Sequence, residues 1–444
     1  VRHSLVVTSL GTAATAKQRE LMVSAEAEAA LGQIGAIAHQ RDRIASYRDL
    51  VEKLTAAEAL DDLCACFDRV FAPDEAQVVA RQVAAYVAEK LGLLSASHPE
   101  PYRDAAQRCL QKLAAQPVAY DDAEHALRLD LFENLVADEQ YKEAAAVLGA
   151  LNLEGATGRS YDDADKAQIY VKIAEAYLQD DLADKADAFV TRASGVMGGV
   201  ADVALQLRYR TTSARVLDAN RKFLDAALRF HELSQTQHGV VQEDLLELLG
   251  LAITCAVLGK AGAQRSRILG TLFKDERLRL LEQLRSFSTH AQVLTKMYKE
   301  QILRTQEMEV FEKSLADHHK ATAGDGLTIP RRAVVEHNMV AAGRIYDNIG
   351  FVELGALLEL SPAMAEKVAA RMIAEGRLHG RIDQVAGMLH FFEGGGGGGG
   401  SGGDRLLHGW DERIAALCQR VNLAHDAVAT VYPHIAEAAV AAPS

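Results

Sequence analysis

The chain has 444 residues, a formal net charge of −13, 49% hydrophobic residues and only 6% aromatic ones. That length exceeds one compact core and implies two or three structural units, while an alanine-rich, aromatic-poor composition favours closely packed helices over sandwiches or barrels. The acidic balance opposes general affinity for nucleic acid or anionic membranes, both of which call for a basic surface. No apolar run approaches the ~20 residues that span a bilayer, and no basic-then-apolar segment opens the chain as a secretory signal would. The five cysteines (Cys64, Cys66, Cys109, Cys255 and Cys418) are odd in number and scattered. They read as reduced thiols of an intracellular protein, not as a disulfide framework. Cys64 and Cys66 have no second pair or nearby histidine to complete a zinc site, so no metal is expected there.

In chain order, residues 1–20 are expected to be disordered and residues 21–325 to form a helical solenoid. Weak helical hairpins at roughly 42–70 and 74–114 precede three clearer ones at roughly 127–153, 166–194 and 205–234. Aligned on the small residue of each second helix, Ala144, Ala186 and Ala226 fall in register, 42 and 40 residues apart. Nine positions upstream stand Leu135, Tyr177 and Leu217; seven positions downstream stand Leu151, Ala193 and Leu233. A recurrence at this period marks an α-solenoid of TPR-like hairpins, each of which buries its apolar face by stacking on the next.

Residues 326–393 have a different rhythm. A helix from Arg331 to Arg344 is followed by a short β-like run, Ile345 to Ile349, and a second helix from Val352 to Leu358. Ser361 can cap a third helix with Pro362 at its first position, and Ala365, Val368, Ala369 and Met372 form one buried stripe along it. Gly376 is a stop signal, and Leu378 to Ile382 and Met388 to Phe392 flank a polar turn as a hairpin. Helix, strand, helix, helix, hairpin is the order of a winged helix. Its candidate recognition helix is electrically neutral, because Glu366 and Glu375 balance Lys367 and Arg371. Arg377 and Arg381 add some positive charge at the hairpin, but a groove-reading helix should itself be basic.

The glycines of 394–400 and the Ser-Gly-Gly after them make a flexible linker over 394–404; no Gly-Lys-Ser/Thr closes it as a phosphate loop would. The last segment, 405–444, holds a helix in which Trp410, Ile414, Leu417, Val421, Ala424, Val428 and Val431 recur at alternating spacings of four and three. This heptad seam needs a partner surface. It either folds back on its own domain or packs with helices of other subunits, and the tether before it favours the second.

No reactive constellation is apparent. His318-His319 is the only adjacent histidine pair, and a zinc-protease His-Glu-x-x-His run, a nucleophile elbow and a dinucleotide fingerprint are all missing. No cofactor or catalytic residue is expected.

A solenoid of hairpins leading into a winged helix resembles the PCI domains of the proteasome lid, the COP-9 signalosome and translation initiation factor three. The run Ala261 to Arg277, then His319 to Ala323, Ala333 to Asn338, Ile345 to Ile349 and Glu353 to Leu358 are similar in particular to the family of signalosome subunit four. Ala214 to Asp218 and Arg221 to Phe223 fit as well, and the similarity covers roughly residues 40–432. The paralogous proteasome-lid family is disfavoured by Ala263 to Arg267. The resemblance implies a non-catalytic scaffold subunit, cytoplasmic and nuclear. It would support removal of a ubiquitin-like modifier (deneddylation) from cullin–RING ligases by a separate metalloprotease subunit, with the N-terminal solenoid contributing to substrate binding. It also implies winged-helix sheets lined up edge to edge and C-terminal helices gathered in a shared bundle. On that footing Met388, His390 and Phe392 are interface candidates at a strand edge, beside the seven seam residues. A strand that merely closes the local hairpin is the open alternative. Gly350 stands where the family tends to have a capping Thr, which weakens the start of the second winged-helix helix.

Overall fold

The computed structural model describes residues 24–392, except 74, 117–119, 154–159, 237–240, 282, 283, 285, 286 and 323–325. Beyond them it describes 413, 414, 416–424, 426, 427 and 430. The expected N-terminal tail (1–20) and linker (394–404) therefore lie outside the described residues. The chain divides into two compact units, 1–337 and 338–444.

The first unit is built of helices in hairpins. It opens with α1 (Ala25–Gly35), α2 (Gln40–Ala56), α3 (Leu60–Val70), α4 (Gln77–Leu93) and α5 (Pro99–Ala114). Then come the repeating pairs α6 (Asp121–Ala137) and α7 (Tyr141–Gly149), α8 (Asp163–Gln179) and α9 (Ala183–Val196), α10 (Val203–Ala219) and α11 (Phe223–Ser234). Successive pairs stack, α7 on α8 and α9 on α10. Ala144, Ala186 and Ala226 are all fully buried, which explains why the repeat tolerates only a small residue there.

The register has a second origin in the turns. Glu139, Asp181 and Arg221 each adopt a left-handed backbone, with φ of 60°, 54° and 60°. The next amide reaches back to the first helix, from Gln140 to Leu135 O, Leu182 to Tyr177 O and Lys222 to Leu217 O, each at 2.9 Å. These are Schellman caps, which satisfy carbonyls that the helix end would leave orphaned. The residues nine positions before each alanine are thus the cap acceptors. Lys172 of α8 meets Glu133 of α6 at 3.1 Å, and Arg208 of α10 pairs with Glu175 of α8; such partly exposed pairs add little stability.

One apolar core runs from Ala27 to Val216, and a second takes over at Ala214 and continues to Val334. The second surrounds α12 (Gln242–Leu258), whose residues 252–258 are all buried, as befits a helix apolar on every side. Around it lie α13 (Ala263–Phe273), α14 (Leu278–Leu281), α15 (His290–Tyr298) and α16 (Thr305–Lys313). A 3₁₀ turn (Asp317–Lys320) and α17 (Ile329–Ala342) follow. Polar groups sit deep in this half. Buried Arg265 donates to Gly259 O (3.0 Å), the Ala261 amide donates to Glu336 (3.4 Å), and His337 Nε2 lies 2.8 Å from Gln301 O. His290 Nε2 lies 2.9 Å from Thr254 Oγ1. Burial drives both imidazoles down to about 4, with Arg265 adding to the effect at His337. The Arg277 guanidinium meets both Asp275 and the hydroxyl of Ser234 at the end of α11.

The second unit holds β1 (Asn348–Gly350), α18 (Phe351–Leu358), α19 (Pro362–Ala374), β2 (Gly380–Asp383) and β3 (Met388–Phe391). The strands form one antiparallel sheet in the order β1-β3-β2, the pattern of a winged helix. Ser361 Oγ accepts the Met364 amide at 3.3 Å, and Ala365, Val368, Ala369 and Met372 are buried as the stripe requires. Gly350 is the N-cap of α18 and has no side chain to offer it. Gly355 is required by contact: a Cβ there would lie 2.8 Å from Leu360 O. The β-like run is shorter than its sequence suggests, because Ile345 and Tyr346 belong to a turn held by amide bonds back to Ala342 O.

Two outcomes follow from this packing. Ala186→Leu should destabilise the chain by about 1–3 kcal/mol through overpacking, whereas Asp181→Gly should stabilise it by roughly 0.5–1 kcal/mol by relieving the left-handed backbone; urea unfolding measures both. His290 and His337 protonate near 6.5 when unfolded but only near 4 when folded. Between those values the unfolded chain binds more protons, so stability falls as pH drops from about 6.5 to 4, by roughly 2–3 kcal/mol per histidine. Urea midpoints across that range should show the loss, and it should shrink in His290→Gln.

Candidate protein-interaction surfaces

Among the described residues, the C-terminal helix is an exposed apolar element. Its described residues are all exposed: Ile414 is 52% exposed, Leu417 62%, Val421 58% and Leu423 69%, with Ala424 exposed beside them. Four of the expected seam residues (Ile414, Leu417, Val421 and Ala424) therefore share an open helix, while Trp410, Val428 and Val431 lie outside the described residues. None of the four is covered by the described residues. Each large member would gain about 1.5–3 kcal/mol on burial, and a helix this short is marginal alone in water.

The sheet requires a correction. Met388 to Phe392 does not offer a strand edge, because β3 is the central strand. Met388 pairs with Gly350 on one side and Asp383 on the other, and His390 pairs with Asn348 and Arg381. The Phe392 amide is also engaged, donating to His379 O at 2.9 Å. The short β1, folded back onto β3 from before α18, takes the place that a two-strand hairpin would have left open. The sheet's outer strands are β1 and β2.

Beside β1 lies a groove of about 440 Å³, lined by Tyr346, Asn348, Ile349, Gly350, Glu353, Leu357 and Met388. Tyr346 is 43% exposed and shares the groove with Ile349, Leu357 and Met388, so the β1 side is apolar as well as grooved. Met388 thus stays next to a candidate surface through its side chain. The wing is pinned to α19, since Gln384 Nε2 donates to Glu366 Oε1 at 2.8 Å. Arg377 pairs with Glu375 at 2.7 Å and Arg371 is half-buried, so these guanidiniums do not form an open basic face for nucleic acid.

Among the described residues, most shifted ionisable groups are buried parts of the packing. Burial pushes the Cys66 thiol up to about 12 and raises Tyr102 and Cys255. One cluster was not visible in the histidine spacing: His318 and His319 both meet Asp218, 100 residues earlier. Burial alone would raise the Asp218 carboxyl, but hydrogen bonds from the two imidazoles overcome it and hold it well below the usual carboxylate range. No helix among the described residues is long and apolar enough to cross a membrane.

Comparison with known proteins agrees with this architecture. Residues 289–393 match the family model described as PCI domain, and residues 35–244 match the one described as PSMD12/CSN4, N-terminal. The chain is 34% identical over 399 residues to COP9 signalosome complex subunit 4 of Arabidopsis thaliana, covering 88% of this chain and 96% of the relative. It is 35% identical over 407 residues to the Drosophila melanogaster protein of the same name, covering 91% and 94%. To that of Dictyostelium discoideum it is 37% identical over 313 residues, covering 70% and 75%. With a helical solenoid, a winged helix and relatives matched over nearly their whole length, this chain belongs to the COP9 signalosome subunit 4 family.

Proposed function

We propose that this chain is a non-catalytic scaffold subunit of a COP9 signalosome, held in the assembly by its C-terminal helix and supported by its winged-helix sheet. The observation that carries this reading is the open seam of Ile414, Leu417, Val421 and Ala424 on a helix that no described part of the chain covers. Its partners are the other PCI subunits and the metalloprotease-type subunits of the complex, and its substrate is a cullin–RING ligase from which a separate subunit removes the ubiquitin-like modifier. The solenoid contributes to binding that substrate. The sheet adds to its neighbours through an outer strand; β1, beside the apolar groove, is the better supported of the two. The chain works in cytoplasm and nucleus, contacts neither nucleic acid nor membrane, and needs no cofactor.

Replacing Leu417 and Val421 with Asp tests the seam. Losing two buried apolar side chains removes about 3–6 kcal/mol, so association should weaken at least roughly a hundredfold. Tagged wild-type chain should co-purify signalosome subunits from cell extract and the double variant should not, with far-ultraviolet helicity nearly unchanged in both. Full retention of the variant would make the helix a local element only. Proteasome-lid ATPases and deubiquitinase among the companions of the wild type would move the chain to the paralogous complex.

A further inference from the structure

Three distant segments bring metal-ligating side chains to one point in the solenoid. Asp218 lies in the last turn of α10, Cys255 lies in α12, and His318 and His319 form the middle of the 3₁₀ turn that precedes α17. His319 Nε2 lies 2.9 and 3.0 Å from the two Asp218 carboxylate oxygens, and His318 Nε2 lies 3.1 Å from Oδ2. One ligand atom each of Asp218, His318 and His319 falls within 4.8 Å of the others, a group that does not include Cys255. Cys255 Sγ stands 3.3 Å from Asp218 Oδ1. Adjacent residues of a three-residue-per-turn helix should point about 120° apart. Yet the two imidazoles converge, with ring centroids 3.9 Å apart.

The geometry points to a structural site for one divalent transition metal of the zinc class, ligated by Asp218, His318 and His319 with Cys255 as fourth donor. Two imidazole nitrogens, a carboxylate oxygen and a thiolate are a donor set that zinc accepts in tetrahedral geometry, whereas magnesium and calcium select oxygen ligands. Metal–ligand bonds of about 2.0–2.3 Å in a tetrahedron separate donors by roughly 3.3–3.6 Å. The Asp218–histidine separations are a few tenths of an ångström shorter, so small movements open the site among those three, and the Cys255 side chain must swing toward the histidines to complete the tetrahedron. Asp218, Cys255 and His319 are buried, and the His318 side chain is 37% exposed, which leaves a way in for the ion. A bound metal would clamp the turn before α17 to a hairpin 100 residues earlier. Binding needs the Cys255 thiol deprotonated and the proton of each neutral imidazole on Nδ1, so the thiol proton is released to solvent as the bonds form.

The test uses the full chain, washed with chelator and titrated with Zn²⁺ or Co²⁺ alone. One equivalent of Zn²⁺ should bind and raise the thermal midpoint, and His318→Gln, at the most exposed ligand, should weaken that binding at least about a hundredfold while remaining folded. The Co²⁺ form should show a thiolate-to-metal charge-transfer band that Cys255→Ser removes. Absence of stoichiometric uptake would overturn the site, as would equal uptake by wild type and His318→Gln, or a Co²⁺ spectrum without the thiolate band.

Discussion

The close approach of paired helices at a buried alanine, fixed by a left-handed cap between them, is the constraint on which the solenoid depends. Ala144, Ala186 and Ala226 let each second helix sit against the first, and Glu139, Asp181 and Arg221 aim it there. Each left-handed residue costs roughly 1–2 kcal/mol relative to glycine, and the cap hydrogen bond and the packing it directs offset that cost. Because the turn geometry repeats, the stacking repeats, and one continuous core runs from Ala27 to Val216.

The same logic explains why the stretch Ala261 to Arg277 is so distinctive in sequence. It is a joint. The Ala261 amide reaches Glu336, Arg265 is buried against Gly259 O, and Arg277 ties the start of α14 to the end of α11 through Ser234. Apolar residues could fill that space with less desolvation, but polar contacts with fixed geometry specify one arrangement of five converging helices where greasy packing would allow several. That is a packing role, and it needs no chemistry at the site.

Much of this was legible in the residues, for identifiable reasons. The hairpins and the alanine register were readable because a small residue is demanded at a fixed place. The third winged-helix helix was readable because Ser361, Pro362 and the stripe from Ala365 to Met372 all point the same way. The left-handed turns were not, since Glu, Asp and Arg carry no turn signal of their own. The sheet order was not either. Met388 to Phe392 reads as a hairpin strand, and only the return of a three-residue strand from before α18 shows that it is central. The Asp218, His318 and His319 cluster spans 100 residues, a separation at which spacing says nothing about contact.

The two borders left open by the fold are unequal in what they can contribute to assembly. A strand of three residues, Asn348 to Gly350, presents only a few backbone groups, each worth about 0.5–1.5 kcal/mol net when paired. Such an edge sets orientation and register more than affinity. The helical seam works the other way: Ile414, Leu417 and Val421 together can gain several kcal/mol on burial, but apolar burial is non-directional and fixes no orientation by itself. In the proposed assembly each supplies what the other lacks, the sheet edge and its apolar groove aligning neighbours and the helix bundle holding them.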